Sequence, residues 1–223
     1  MLSYKEILED KLIINEYEKV DMQNEYPFNH GMQHIKNVIE IIQKISIVLN
    51  ISKKEESNLL IAAALHDIGQ ATGREKHGLK AKNFAKEYLN EKIDKVDLDI
   101  ILQAIEFHSD INKMSELPLF SNIICFSDKM DFSRKRLEKN YEEKFGYIVC
   151  ENITDIVFDY DGKLFVVNIL VQGITDEKAT ELLIEKHSFS KSVQVIVELS
   201  KKLNVNYEIY IGKLKLDLSK LKI

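Results

Sequence analysis

Apolar residues recur at helical spacing through the first two thirds of the chain. Val38, Ile41, Ile42, Ile45 and Leu49 form one stripe, Phe84, Ala85, Tyr88 and Leu89 a second, and Ile100, Ile101, Ala104 and Ile105 a third. Leu59 to Leu65 is a nearly unbroken apolar run, which predicts a helix buried on most sides. Pro118 suits the first turn of a further helix carrying Ile123 and Ile124. After Gly146 the period changes. Ile153–Tyr160 and Leu164–Val171 are rich in β-branched and aromatic residues, with Asp161-Gly162 between them as a two-residue hairpin turn. Phe189, Val193, Ile196 and Leu203 return to helical spacing, and Tyr207, Ile209 and Ile211 alternate as a short last strand. The pattern predicts a mainly α protein. A helical domain over residues 1–145 precedes a small α+β unit over residues 146–223, whose three-stranded sheet contains the β-hairpin and is accompanied by two helices.

Composition narrows the classes of function. With 31 basic and 36 acidic residues the net charge is −5, which argues against a nucleic-acid or anionic-membrane partner. No run of ~18 uncharged apolar residues is present, and the opening MLSYKEILEDKL has no apolar core of a secretory signal. The expectation is a cytoplasmic protein. Cys125 and Cys150 lie in apolar runs and make no disulfide framework. Five of the six histidines, His30, His34, His66, His77 and His108, fall in the first half; His187 alone lies outside and is expected at the surface.

Several of these histidines stand on faces that otherwise read as core. His34 is four before Val38 and seven before Ile41, so it points inward with that stripe. His66 follows Ala62 and Ala63 by four and three, and Asp67 continues the line of Leu60 and Ala63. His108 is four beyond Ala104, and Asp128 four beyond Ile124. Burying an ionised aspartate without a partner costs several kcal/mol or more. Two such aspartates and three imidazoles, drawn from four helices, call for a common partner, and a divalent metal supplies one. Adjacent helical residues point ~100° apart, so His66 and Asp67 reach one ion only from a helix end or a broad concavity, and Gly69 is a plausible stop.

The order His34, then Ala64-Leu65-His66-Asp67-Ile68-Gly69, then His108, then Asp128 resembles the HD superfamily of metal-dependent phosphohydrolases. The segments HIKNV, AALHDIG and FSDKMD are similar to that family's first-histidine, central and last-aspartate motifs, and the resemblance covers about residues 28–136. It implies a helical bundle in which His34, His66, Asp67 and Asp128 hold one metal. HD enzymes with two metals add histidines between the central pair and the last aspartate, where His77 and His108 stand here, and Asp67 would then bridge the ions. The stretch from AIEFHSD to FSDKMDFSRKR is similar to the bacterial HD hydrolases that split dinucleoside tetraphosphates symmetrically. Three features depart from these patterns: Gln70 replaces a lysine common after the glycine in two-metal HD enzymes, the Asp67–His77 connection is short beside that of the dinucleoside tetraphosphate hydrolases, and the β-containing tail is not part of the minimal HD domain.

The implied chemistry is hydrolysis of a phosphate ester or anhydride of a nucleotide or dinucleoside polyphosphate. One or two ions of iron, manganese, cobalt or zinc would activate water and polarise the phosphoryl group. Asp67 would carry that chemistry, with Arg74 and Lys129 as positive charges for the phosphates, Lys76 as another, and Arg134 and Arg136 further out. His30 could share the face of His34, as a ligand or a substrate contact, and Asp131 could orient a ligand or be solvated. Two other readings are a catalytically silent nucleotide-binding sensor and a di-iron HD oxygenase. The exposed strand edge of the tail makes a homodimer the default assembly.

Overall fold

The computed structural model of the chain describes residues 2–23, 30–137 and 148–221. Among the described residues, seven α-helices build the N-terminal part: α1 (Tyr4–Glu9), α2 (Lys11–Met22), α3 (Met32–Val48), α4 (Lys53–Leu65), α5 (His77–Leu89), α6 (Lys95–Phe107) and α7 (Leu119–Lys129). Their starts are written locally. Ser3 with Glu6, and Ser52 with Glu55, form reciprocal capping boxes, and Asp94 accepts from the Asp97 amide at the head of α6. Pro118 stands one residue ahead of α7, as its cap. The stripes face inward in the main: Val38, Ile42, Ile45, Ala85, Leu89, Ile101, Ala104 and Ile105 have no exposed surface, and α4 is buried from Asn58 to Leu65, but Leu49, Phe84 and Tyr88 are half-buried and Ile100 is exposed at the edge of its stripe.

The remainder comprises α8 (Ile148–Glu151), β1 (Ile153–Tyr160), β2 (Leu164–Val171), α9 (Asp176–Ile184), α10 (His187–Leu203), β3 (Asn206–Ile211) and β4 (Leu214–Lys215). The sheet has four strands in the order β1-β2-β3-β4, one more than the alternation pattern predicts, because β4 is only two residues long. The hairpin loop also differs from the expected two-residue turn. It runs over Asp161–Lys163, Gly162 adopts φ 88°, and Asp161 Oδ1 accepts from the amides of Lys163 and Leu164. That side-chain turn holds the extra residue. β2 and β3 are parallel, with Val167 opposite Ile209, so α9 and α10 form the crossover between them.

The sheet and the helices share one hydrophobic core. Phe126 of α7 packs its ring against Phe158 of β1 (5.3 Å) and Phe165 of β2 (5.9 Å), and Phe132 packs on Phe189 of α10 (5.9 Å). Ser192 of α10 donates to the Lys129 carbonyl at 2.7 Å, satisfying one of the open carbonyls at the end of α7. The α+β unit therefore braces the helix that carries Asp128. The expected boundary between residues 145 and 146 lies outside the described residues, as does the side chain of His187. No helix among the described residues is long and apolar enough to cross a membrane.

Candidate metal centre

Each predicted ligand occupies, or lies within a few residues of, a helix end. His34 is in the first turn of α3, His66 caps the C-terminus of α4, and His77 is the first residue of α5. His108 caps the C-terminus of α6, and Asp128 is the penultimate residue of α7. The helix α4 stops at Leu65, short of Gly69, and the chain re-forms as a 3₁₀ turn over Ile68–Thr72. Asp67, between the two, has φ −102° and ψ 0°, and this break lets neighbours in sequence face one point. Glycine serves close packing here. A Cβ on Gly69 would lie 2.1 Å from the His77 carbonyl oxygen, and one on Gly78 would lie 2.4 Å from that of Glu106. Only hydrogen at these positions lets the 3₁₀ turn, α5 and α6 approach closely enough to bring Asp67, His77 and His108 together.

The Asp67 carboxylate is the centre of the arrangement. Its Oδ2 lies 3.4 Å from His34 Nε2 and 3.7 Å from His66 Nε2, and its Oδ1 lies 3.3 Å from His108 Nε2 and 3.5 Å from His77 Nε2. Asp128 Oδ1 is 3.2 Å from His34 Nε2 and 4.0 Å from His66 Nε2. Two groups result, His34, His66, Asp67 and Asp128 in one and Asp67, His77 and His108 in the other, with the ligand atoms of each group within 4.8 Å of one another. Asp67 belongs to both, one oxygen to each.

The hydrogen bonds of the imidazoles test whether this set suits a cation. Every Nδ1 faces an oxygen: His34 faces Asp131 Oδ2 at 2.7 Å, His66 the Ala63 carbonyl at 2.8 Å, His77 the Arg74 carbonyl at 3.0 Å and His108 the Ile105 carbonyl at 2.7 Å. A carbonyl or carboxylate only accepts, so each Nδ1 carries the proton, and in the neutral ring Nε2 is left with its lone pair. All four Nε2 atoms point into the cluster. Those of His34 and His66 are buried without a hydrogen-bond partner, and those of His77 and His108 sit 3.0 Å apart. Two bare lone pairs at that distance repel. Four Nε2 atoms converging on two carboxylates fit a divalent metal, which would take the place of the proton that the carboxylates hold on His34, and each outer Nδ1 bond fixes the tautomer such a ligand needs.

The electrostatics agree. Burial pushes His66 down to about 3 and, despite the adjacent carboxylate of Asp67, His30 down to about 4, so both rings are neutral. Burial also opposes ionisation of Asp67 and Asp128. The surrounding histidines for the first, and Lys129 with His34 for the second, nonetheless hold both well below the usual carboxylate range. His34 goes the other way: burial disfavours its charge, but Asp128, Asp131 and Asp67 pull it up to about 10. The carboxylates thus demand positive charge in the middle of the cluster.

The cations expected near the phosphates divide. Lys129 Nζ lies 2.5 Å from Asp128 Oδ2, although its position on α7 points ~100° away, because its long stem folds back. Arg74 lies at the rim, its Nη2 2.9 Å from His30 Nε2. Lys76 takes a left-handed conformation (φ 52°) at the head of α5. Arg136, expected further out, is instead buried beside the site. Its Nη1 donates to the Asp131 carbonyl at 2.8 Å, and its Nη2 approaches His30 Nδ1 at 3.3 Å. Asp131 is buried too, accepting from His34 Nδ1 and, at 3.0 Å, from Asn37 Nδ2, so it lies against His34 and is not solvated. His30 precedes α3 and meets Asp67 Oδ2 with Nδ1 at 2.9 Å. Asn37 and Arg136 carry no signal in one sequence beyond their spacing from His34 and Asp131.

The comparison with curated proteins finds no match. A family sequence model does match, that of the HD domain, over residues 31–133, a span that contains His34, His66, Asp67, His77, His108 and Asp128. The matched span is the one that carries the converging helix ends and inward-facing imidazoles, and in both respects it is similar to an HD domain.

Proposed function

We propose that this chain is a metal-dependent phosphohydrolase acting on the phosphate ester or anhydride of a nucleotide or dinucleoside polyphosphate. The observation that carries this reading is the sharing of Asp67 between two groups of inward-facing Nε2 atoms. His34, His66, Asp67 and Asp128 would hold one divalent ion, and His77 and His108, again with Asp67, a second. Iron, manganese, cobalt and zinc all suit nitrogen and oxygen donors. Such an ion supplies Lewis acidity for the phosphoryl oxygen and a bound water acidic enough to ionise near neutral pH.

The chain's own residues do the rest. Asp67 stays ionised, so it offers one oxygen to each group at working pH. Asp131 holds the Nδ1 proton of His34 and thereby aims its Nε2. Lys129 neutralises the outer oxygen of Asp128, and Arg74 at the rim is the cation placed to meet an incoming phosphate. Among the described residues, His34, His66, His108, Asp67 and Asp128 are buried, whereas His77, like His30 and Lys129 beside the site, is partly exposed and so faces the side from which substrate would come.

The test is turnover. Protein loaded separately with Mn²⁺, Fe²⁺, Co²⁺ and Zn²⁺ is screened against nucleoside mono-, di- and triphosphates and dinucleoside polyphosphates, reading released phosphate and nucleotide products. Turnover that disappears with chelator and with Asp67→Asn supports the proposal. Metal-loaded protein that binds nucleotide without turning it over would mean a sensor.

A further inference from the structure

His30 stands outside both metal-binding groups, yet both of its ring nitrogens are engaged. Arg74 Nη2 sits 2.9 Å from Nε2, and a guanidinium can only donate. Nε2 must therefore be the lone pair, and the single proton of the neutral ring must be on Nδ1. That proton points at Asp67 Oδ2, 2.9 Å away. The second guanidinium near Nδ1, that of Arg136 at 3.3 Å, cannot compete for a lone pair that is absent there, and it directs Nη1 to the Asp131 carbonyl instead. The tautomer of His30 is thus dictated by Arg74, and the imidazole makes a two-bond bridge from the rim to the shared carboxylate. The backbone beside it lies close against α2, since a Cβ on Gly31 would overlap the carboxylate of Asp21.

We propose that His30 is a positioning residue that does two jobs at once: its Nδ1–H orients the shared carboxylate of Asp67, and its Nε2 holds the Arg74 guanidinium at the rim for the phosphate of the substrate. The second job rests on the phosphohydrolase reading; the first does not. Asp67 Oδ2 has two lone-pair directions, and with His30 occupying one the other is directed toward His34 and His66. Its bond to His30 restricts the rotamers of the exposed Arg74 side chain before substrate arrives. A phosphate arriving at the rim meets a guanidinium already aimed.

The two jobs are separated by choice of variant. His30→Asn keeps an N–H near the place of Nδ1 and loses the acceptor for Arg74, whereas His30→Ala loses both. Mn²⁺ affinity is measured by calorimetry without any phosphate compound, and inorganic phosphate affinity is then measured on Mn²⁺-saturated protein for wild type, His30→Asn, Arg74→Ala and the double variant. His30→Ala is expected to weaken Mn²⁺ binding ~10–100-fold, the usual effect of removing an outer partner of a ligand. His30→Asn should stay within about twofold of wild type. For phosphate, His30→Asn and Arg74→Ala should each lose roughly tenfold, the double variant losing no more than either. Wild-type Mn²⁺ affinity in His30→Ala, or equal losses in both His30 variants, overturns the Asp67 half. Losses for phosphate that simply add overturn the Arg74 half. If wild-type protein fails to bind phosphate at all, the phosphohydrolase reading falls together with the Arg74 half, while the Mn²⁺ ranking still decides the Asp67 half.

Discussion

Replacing Asp131 by asparagine removes one charge and almost no volume, at a position 2% exposed. The carboxylate accepts from His34 Nδ1 at 2.7 Å through Oδ2 and from Asn37 Nδ2 at 3.0 Å through Oδ1, with Arg136 Nε 3.6 Å from Oδ2. An amide offers one acceptor where two are needed. Asn37 cannot turn its own amide to help without breaking another bond, because its Oδ1 already accepts from Gln33 Nε2 at 2.9 Å. If the new amide nitrogen faces His34, the imidazole must move its proton to Nε2, the atom that lies 3.2 Å from Asp128 and 3.4 Å from Asp67. The lone pair needed for metal is then lost. Asp131→Asn should therefore weaken Mn²⁺ binding ~10–100-fold, about 1.4–2.8 kcal/mol. Losing charge-assisted bonds in a buried setting should also cost the metal-free protein about 1–3 kcal/mol. At this chain length that is a fall in Tm of about 2–12 °C. Calorimetric Mn²⁺ titration and melting in chelator read the two effects separately. Wild-type Mn²⁺ affinity in this variant would refute the reasoning from outer bond to tautomer to lone pair.

Three further outcomes are expected. Asp67→Asn should reduce bound metal in both groups at once, whereas His77→Ala should spare the group containing His34 and Asp128; metal per chain by mass spectrometry distinguishes them. Stability should depend on pH from both sides. His66 lies at about 3 when folded against 6.5 when free, so its contribution is full above ~6.5 and lost as pH falls from there. His34 lies at about 10, so its contribution is full below ~6.5 and lost as pH rises toward 10. Chelated protein should thus melt highest near neutrality and lower at about pH 5 and pH 9, and Mn²⁺ should remove the alkaline decline by replacing the His34 proton; melts with and without metal check this. Gly78→Ala places a methyl 2.4 Å from the Glu106 carbonyl, so α5 and α6 must part, costing about 1–3 kcal/mol in chemical denaturation and weakening metal binding through His77 and His108.

Much of this molecule could be read from its chain alone. The 3.6-residue stripes determine which faces of α3, α5 and α6 are buried in the main. The same periodicity exposes His34, His66, His108 and Asp128 as polar residues on apolar faces, since side-chain direction on a helix follows from spacing. The strands were legible too, apart from the two-residue β4, whose pairing is set by its neighbour β3 and not by any pattern of its own. What spacing cannot supply is anything carried between elements. That Asp67 gives one oxygen to each group depends on how closely α5 and α6 approach the 3₁₀ turn. Asp131 meets His34 across 97 positions, and Arg136 meets His30 across 106, so their roles appear only once the chain has folded back on itself. Local sequence fixes which way a side chain points from its own backbone; the packing of helix ends decides what it meets there.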